Sequence, residues 1–373
     1  MSRINGEALL RTSARLGEAA LDPAAWPDLM QEICEAVGAV GSALLQSDLR
    51  TSDIPRTKSV DEIFRKYFAD GWHIRDVRAE RGVPLLLGGQ TVVVDQDLIT
   101  QDEMLRDPFY NEWLRGQGLR WFSGVGFWAG SSLWGLTIQR TPQEGPFDTD
   151  AKLTVARISE RLTEAATLSK AVGRQVLLGI SNALELVKQP AITLDRHGFV
   201  LEANLTAQKL FGSEIGIRGR HLWVRDRIAK SCLDSLADQL RSTTDKAVLC
   251  TAPIAVRREH LPPLLIRALP IPGPARSPFL GARTLLMITD LGPKPGPDPA
   301  VLRQLFGLTP VESRVASFIA TGASPEEAAK EIGIAFETAR NHLKAVFVKT
   351  GTHRQSELAN LLSQLIPLYA SIK

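Results

Sequence analysis

The chain has 373 residues, of which 44% are hydrophobic and 23% charged, and its formal net charge is +3. A chain of this length is longer than one hydrophobic core usually accommodates, so two or three domains are expected. Its composition is that of a soluble globular protein. The cysteines, Cys34, Cys232 and Cys250, are far apart and in no ligand spacing, which argues against a disulfide framework or a metal site and fits the cytoplasm. No secretory signal is visible, and no apolar stretch approaches the ~18–20 residues that span a bilayer.

Residues 1–170 predict a sensory domain of mixed helices and strands. The apolar spacing over Gly6–Val37 is that of a helix. Alternation of apolar and polar residues predicts strands at 91–95, 119–128 and 132–140. We expect these strands to form an antiparallel sheet.

A long helical pattern from about 149 to 187 connects this domain to the next. Apolar residues recur along it at steps of three and four, at Val155, Ile158, Leu162, Ala165, Val172 and Val176. This stripe is compatible with a two-helix coiled contact. It is equally compatible with packing of its first half on the domain's own sheet, and the sequence leaves both interpretations open.

Residues 171–290 predict a second antiparallel-sheet domain after this connecting helix. Two short apolar runs flank the turn 195–198, where Gly198 can supply a positive φ. Further strands are predicted at 248–256, 263–269 and 283–290.

The segment AITLDRHGFVLEANLTAQKLFG (191–212) resembles a PAS domain. The strand pair, the step from Asn204 to Ala207 and the ending LFG carry the resemblance. PAS domains bind ligands or cofactors in some proteins and act only as dimerisation modules in others. No heme-type or flavin-type signature is present, and His221 is more typical of a surface residue than of a metal ligand. We therefore expect a dimerisation and relay domain without a cofactor, and a PAS domain that binds a ligand is the alternative.

Prolines occupy alternate positions in DLGPKPGPDPA (290–300). Such a stretch sustains neither a helix nor a sheet ladder, so 291–303 is predicted to be an extended linker. The pattern after it is helical and predicts a four-helix domain over 304–373.

Capping residues predict three helix starts in this last domain. Each start places a hydroxyl at the N-cap and an acid or amide three residues later. The pairs are Thr309 with Glu312, Ser324 with Glu327, and Thr352 with Gln355. Gly333 can end the second helix in the left-handed conformation, and a third helix is predicted at 336–349.

The third helix has an apolar and a basic face. The apolar face, predicted to lie in the core, carries Phe336, Ala339, Leu343, Val346 and Phe347. The opposite face carries Glu337, Arg340, Asn341 and Lys344. A cationic face of this size fits the major groove of DNA, where Arg or Lys can bond guanine and Asn can bond adenine.

The motifs LTPVE, ATGASPEEAAKEIGI, TARNHLKAVFVKTG and RQSEL occur in this order and resemble the LuxR-type, or NarL/FixJ-type, helix-turn-helix over its whole length. The resemblance implies binding to double-stranded DNA through Thr338, Arg340, Asn341, Lys344 and Lys349. The middle three would reach bases, and Lys349 would hold a phosphate. The chain departs from the family at residue 335, where Ala replaces the usual Ser or Thr N-cap, a loss of about 1 kcal/mol.

Three further residues of this domain are interpreted as structural. Glu312 caps its helix, with Arg354 as its ion-pair partner, and His342 packs against the helix. A leucine stripe marks the final helix, Ser356–Leu368. Part of the stripe closes the domain core, and part pairs two subunits in the family, so we expect a homodimer on two-fold half-sites.

Aromatic residues cluster in the first domain, at Tyr67, Trp72, Tyr110, Trp113, Trp121, Trp128 and Trp134. Its element order resembles a GAF-type or autoinducer-binding sensor fold. The order of Tyr67, Trp72 and Asp76 resembles that of ligand-binding residues in the acyl-homoserine-lactone receptors, although the spacing does not match closely. In those receptors a carboxylate accepts a hydrogen bond from the ligand amide. The resemblance implies a small-molecule signal bound by Tyr67, Trp72, Asp76 and Trp113. The alternative is that the rings are ordinary core.

No phosphate-cradling loop, nucleophile elbow or metal-spaced His or Cys set occurs, so we expect no enzyme. The fold class expected is α+β, with two antiparallel-sheet sensory domains, GAF-like and PAS-like, before a four-helix helix-turn-helix domain. The function expected is transcriptional regulation, in which a signal changes dimer geometry and operator binding. The alternative function is a PAS-containing scaffold whose helical C-terminus binds protein.

Overall fold

A computed structural model of the chain describes residues 4–47, 52–242 and 252–365. Helices and strands are mixed, and the paired strands are antiparallel, which confirms the α+β class. Among the described residues, no helix combines the length and the apolar character needed to cross a membrane. Cys250 lies outside the described residues.

The first domain has an antiparallel sheet of four strands in the order β1-β4-β3-β2. The strands are Gly41–Gln46 (β1), Val92–Val94 (β2), Trp121–Ala129 (β3) and Ser132–Arg140 (β4). The helices are Gly6–Arg15 (α1), Glu18–Leu21 (α2), Trp26–Val37 (α3), Asp61–Ala69 (α4), Val77–Leu87 (α5), Asp95–Leu98 (α6), Gln101–Met104 (α7), Thr149–Ala156 (α8) and Ser159–Leu186 (α9). A π-helical segment, Phe109–Leu114, precedes β3.

The three strands predicted in this domain are confirmed, whereas β1 was not predicted. The single helix predicted over Gly6–Val37 is wrong, because the structure has three helices there. Asp22 caps a short turn that starts at Pro23, and a proline cannot continue a preceding helix since it lacks the N–H.

One face of the sheet is covered by helices and holds the main core. Val125 and Ile138 pack there with Trp26 of α3 and Leu162 of α9. The residues Val155, Ile158, Leu162 and Ala165 are all buried in this core. The first half of the long helical pattern therefore packs on the domain's own sheet, as the second interpretation held.

The second domain has a five-stranded antiparallel sheet in the order β6-β5-β11-β10-β9 and a separate hairpin, β7–β8. Its strands are Ala191–Asp195 (β5), Val200–Ala203 (β6), Ile215–Arg218 (β7), His221–Val224 (β8), Ile254–Val256 (β9), Leu264–Pro270 (β10) and Ala282–Asp290 (β11). Its helices are Leu205–Gln208 (α10) and Arg227–Ser242 (α11). The turn after β5 is confirmed, with Gly198 at φ +81°. The strand predicted at 248–256 falls partly outside the described residues, and β9 is its described part.

An aromatic side chain of the second domain is buried in the core of the first. Phe279, in the loop before β11, makes edge-to-face contacts with Trp26, Phe127 and Trp134 at centroid distances of 5.4, 5.9 and 5.0 Å. Edge-to-face pairs are favoured because the positive ring edge meets the negative ring face. The two domains therefore share one core at this point.

A buried ion pair joins the same two domains. The carboxylate of Asp53 accepts a hydrogen bond from Arg283 Nε, and its backbone carbonyl accepts one from Arg196 Nη1 at 2.6 Å. Burial by itself would raise the pKa of Asp53, but the charges of Arg283 and Arg196 outweigh it and hold this pKa below its ordinary value. The pair therefore stays ionised although water is excluded from it.

The C-terminal domain is helical, with five helices in its described part. They are Pro299–Phe306 (α12), Pro310–Ala320 (α13), Pro325–Ile332 (α14), Phe336–Thr350 (α15) and Gln355–Ser363 (α16). The expected number was four, because 291–303 was predicted to be extended throughout. Asp298 caps α12 and Pro299 is its first residue, a position where the missing N–H has no helical partner to lose.

Two of the three predicted capping boxes are confirmed, those of Thr309 and Ser324. The third, at Thr352, is wrong. The Thr352 hydroxyl lies 2.9 Å from the hydroxyl of Thr350, and α16 begins after Arg354, whose side chain makes no capping bond.

We expect Asp53→Asn to lower the free energy of unfolding by about 3–5 kcal/mol, because it leaves the buried Arg283 without a counter-charge. Glu62→Gln is the matched control: its partner Arg65 is exposed, so the loss should stay below about 1 kcal/mol. Urea unfolding measures both. Because the folded pKa of Asp53 is lowered, the pair's contribution is complete above the unfolded pKa, about 3.9, and is lost as the pH falls further. Equal losses in the two variants at neutral pH would contradict the assignment.

Candidate functional site

The helix-turn-helix consists of α14, a short turn and α15. The hydroxyl of Ser324 accepts from the Glu327 amide at 3.2 Å, and the Glu327 carboxylate accepts from the Ser324 amide at 2.7 Å. At the other end of α14, Gly333 has φ +79°, a conformation that Gly adopts without a steric penalty. The two helix ends thus fix where α15 starts.

The basic face of α15 is exposed to solvent. Thr338, Arg340, Asn341 and Lys344 are all exposed, whereas Ala339, Leu343 and Val346 are buried. Arg340 lies 3.4 Å from Glu337, and both side chains are exposed, so the attraction between them is weak. The structure therefore places these four residues on one accessible surface.

Phe336 corrects the predicted apolar face. It was expected in the core, but 39% of its surface is exposed at the start of α15. Ala335 makes no side-chain capping bond there. The first turn of α15 projects beyond the core, so helical spacing alone assigned Phe336 to the wrong environment.

Lys349 has a structural partner in this domain. Its ammonium donates to the Glu312 carboxylate at 2.7 Å and to the Gly307 carbonyl at 3.2 Å. Arg354 was the expected partner of Glu312, and that expectation is wrong. Burial acts to raise the pKa of Glu312, but Lys349 and the Thr309 amide outweigh it and lower this pKa. The phosphate contact of Lys349 stays a prediction.

A cavity in the first domain lies between the other face of the sheet, α4, α5 and the π-helical segment. The volume of this cavity is about 80 Å³. Most lining side chains are apolar, and Tyr67, Asp76 and Trp113 are among them. Trp72 stacks on Trp113 at 5.8 Å. The structure thus brings together the four residues predicted to bind a ligand, and their contact with one stays a prediction.

Asp76 has partners within the protein. Tyr67 donates its hydroxyl to Asp76 at 2.6 Å, and the Ala79 amide donates to the same carboxylate at 3.2 Å. The second bond makes Asp76 the N-cap of α5. Asp76 therefore fixes the start of α5 as well as lining the cavity.

A buried polar cluster at the cavity was not predicted. Arg78 Nε and Nη2 donate to Asp95 at 2.8 and 3.3 Å, Nη2 donates to the Arg120 carbonyl at 2.7 Å, and Nη1 donates to Gln139 at 3.1 Å. Tyr110 donates to Asp95 at 2.5 Å, and burial raises the pKa of this phenol. Arg78 and Gln139 line the cavity.

One sequence signal could have indicated part of this cluster. Gly135, Thr137 and Gln139 alternate along β4, and their face carries small or polar residues while Leu136 and Ile138 fill the opposite core. A polar residue on a covered face of a strand needs a partner. The partner, Arg78, is 61 residues away in the chain, so spacing could not identify it.

Comparisons with known proteins give solved structures with low identity. Phage VqmA in complex with DPO is 16% identical, with 53% of this chain and 94% of that chain covered, at a TM-score of 0.20. A Vibrio cholerae VqmA dimer, described with LuxR-type receptors, is 18% identical, with 49% and 86% covered, at 0.19. The E. coli DhaR(N)–DhaL complex is 12% identical, with 78% and 92% covered, at 0.21. These scores are too low to indicate what this chain binds.

No protein-family profile matches the chain, and no curated protein matches it either. The functional assignment therefore depends on the residues and their geometry.

We expect Lys349→Ala to destabilise the C-terminal domain by about 1.5–3 kcal/mol, because it removes a charge-assisted hydrogen bond to the buried Glu312. Lys344→Ala is the control, since Lys344 is exposed on the same helix and should change stability by less than about 0.5 kcal/mol. Chemical denaturation followed by circular dichroism measures both. If Lys349→Ala leaves the stability unchanged, the structural role of Lys349 is overturned and only its predicted phosphate contact is left.

Proposed function

We propose that the chain is a DNA-binding transcriptional regulator, in which a small molecule in the first domain's cavity controls how two subunits pair on an operator. The exposed face of α15 carries this proposal. It presents two cations and an amide, Arg340, Lys344 and Asn341, on a helix that capped ends and a buried face hold in place.

The chemistry of this face suits base recognition. A guanidinium or ammonium bonds the O6 and N7 acceptors of guanine, and an Asn amide bonds adenine at N6 and N7. The start of α14 and one face of α15 together line a groove that includes Ser324, Arg340 and Lys344. The helix-turn-helix geometry would lay α15 in the major groove, with its first turns nearest the bases.

Pairing of two copies is supported by residues 168–186 of α9. An uncharged stripe there is exposed or half-buried, at Leu168, Val172, Gln175, Gly179, Asn182 and Leu186. Its spacing alternates between four and three residues, as the a and d positions of a coiled coil do. Leu168 is 49% and Leu186 75% exposed, so both ends of the stripe offer apolar surface to a second copy.

The leucine stripe of the final helix contributes less to this proposal. Leu358 and Leu362 are buried in the domain's own core. These two leucines are therefore not accessible to a second subunit. The part of the predicted helix after residue 365 lies outside the described residues.

A physical route connects the cavity to the second domain. Strand β4 carries Gly135 and Gln139 on the cavity face, while Trp134 contacts Phe279 of the second domain. A ligand that shifts β4 would therefore also shift the packing around Phe279. The ligand changes the balance between two dimer geometries only if it binds one of them more tightly than the other.

We expect Arg340→Ala and Lys344→Ala each to weaken binding to a duplex selected from a random library by about 1–3 kcal/mol, because each loses a contact to a base edge. Fluorescence anisotropy at fixed salt measures this. Lys330→Ala is the control, because Lys330 is an exposed lysine on α14 and not on the face of α15. Since it is not placed to contact bases, the DNA affinity of this variant should stay within about twofold of wild type. Unchanged affinity in both test variants would remove the base-contact assignment.

The scaffold alternative predicts a different salt dependence. Phosphate contacts release counterions, so the logarithm of the DNA-binding constant should fall linearly with the logarithm of salt concentration. Absence of duplex binding at low salt, together with salt-indifferent binding of a protein partner, would favour the scaffold.

We expect Leu168→Glu and Leu186→Glu to convert a dimer to a monomer, because each places a charge at an apolar position of the α9 stripe. Sedimentation velocity of the full chain measures the subunit number. Leu153→Glu, on α8 and 62% exposed, is the matched control and should leave the dimer intact. If all three variants remain dimers, the interface lies elsewhere.

A further inference from the structure

We propose that the cavity binds a small uncharged molecule through a carbonyl-type oxygen, which the amide of Gln139 and the guanidinium of Arg78 hold by hydrogen bonds. This inference rests on the proposed function, since it takes the cavity to be the signal site. It adds the polar group that the signal must carry.

Gln139 is the first observation that points to an acceptor. It is 7% exposed and lines the cavity. Its oxygen accepts from Arg78 Nη1, and the orientation is dictated chemically because a guanidinium can only donate. The amide NH₂ of Gln139 is then left without an acceptor among the described residues, although buried donors are normally satisfied.

Arg78 supplies a second donor at the same wall. Four of its five N–H bonds have acceptors, on Asp95, Gln139 and the Arg120 carbonyl. The remaining N–H, on Nη1, has none in the described part of the chain. A carbonyl oxygen has two lone pairs, so one such atom can satisfy both Arg78 and Gln139.

The charges around the cavity exclude an anionic ligand. The charge of Arg78 is already balanced by Asp95, to which it donates two hydrogen bonds. Asp76 places a carboxylate in the lining itself. A ligand carboxylate would lose its water and meet no uncompensated cation, which is unfavourable in a low-dielectric site.

The rest of the cavity suits an apolar body of modest size. Its 80 Å³ would hold roughly five to eight waters at about 10–15 Å³ each, the scale of a small ring compound. Gly135 creates part of this space, because a Cβ added there would meet no atom within 4 Å. The first side-chain carbon of a valine at this strand position would therefore enter the cavity without displacing protein atoms.

Three probes of one shape test the inference on the full-length protein. Acetophenone is uncharged with a carbonyl, ethylbenzene lacks the acceptor, and benzoate is anionic. Ligand-observed NMR titration gives the three dissociation constants. We expect acetophenone to bind about tenfold or more tightly than either of the others, as one additional buried hydrogen bond permits.

Two substitutions assign the preference to Gln139. Gln139→Met keeps the size but removes the donor, and should weaken acetophenone about tenfold while leaving ethylbenzene within about twofold. Thr137→Val is the matched control: Thr137 lines the cavity, but its hydroxyl already donates to the Ala43 carbonyl at 3.1 Å. It should change neither probe by more than about twofold, and thermal unfolding verifies that both variants fold.

Gly135→Val separates failure of this inference from failure of the proposed signal site. If it abolishes binding of every probe, but wild type does not prefer acetophenone, the cavity binds ligands and the acceptor proposal is overturned. A preference for acetophenone that survives in folded Gln139→Met overturns it as well. If no probe binds wild type, the inference is overturned, and the DNA-binding half of the function is judged separately by the duplex titrations.

Discussion

Successive side chains of a β-strand point to opposite faces of its sheet, and β4 uses this alternation to serve two parts of the molecule at once. Gly135 and Gln139 face the cavity, while Leu136 and Ile138 fill the helix-covered core. Trp134, in the same strand, meets Phe279 of the second domain. Because the strand is hydrogen-bonded on both sides, to β1 and β3, it cannot move on one face without moving on the other. The cavity and the contact between the domains therefore depend on one rigid element.

The contact between the domains combines two kinds of interaction with different tolerance. Phe279 packs by shape among three rings, and packing of this kind adapts to small displacements. Asp53 and Arg283 form a buried pair, which is intolerant because separation would leave two unsolvated charges. Together they oppose separation of the two domains.

The C-terminal domain separates stability from recognition on a single helix. Leu343 and Val346 hold α15 to the core, and Lys349 holds its end to Glu312 on α13. Arg340 and Lys344 make no such structural contribution and stay exposed. The residues proposed to contact DNA can therefore change without unfolding the domain, whereas the residues that hold the helix in place cannot.

The sequence by itself determined the features that depend on residues close together in the chain. The capping boxes of Thr309 and Ser324 act over three residues, and the turn at Gly198 over four, so local chemistry specifies them. Tertiary structure decided the rest. Arg78 and Gln139 are 61 residues apart, and Asp53 and Arg283 are 230 apart, so no spacing rule relates them. Thr352 is an exception among the local signals: its hydroxyl lies beside that of Thr350, two residues away, and it caps no helix. Local patterns fix which helices and turns form, but only packing decides which buried polar groups meet.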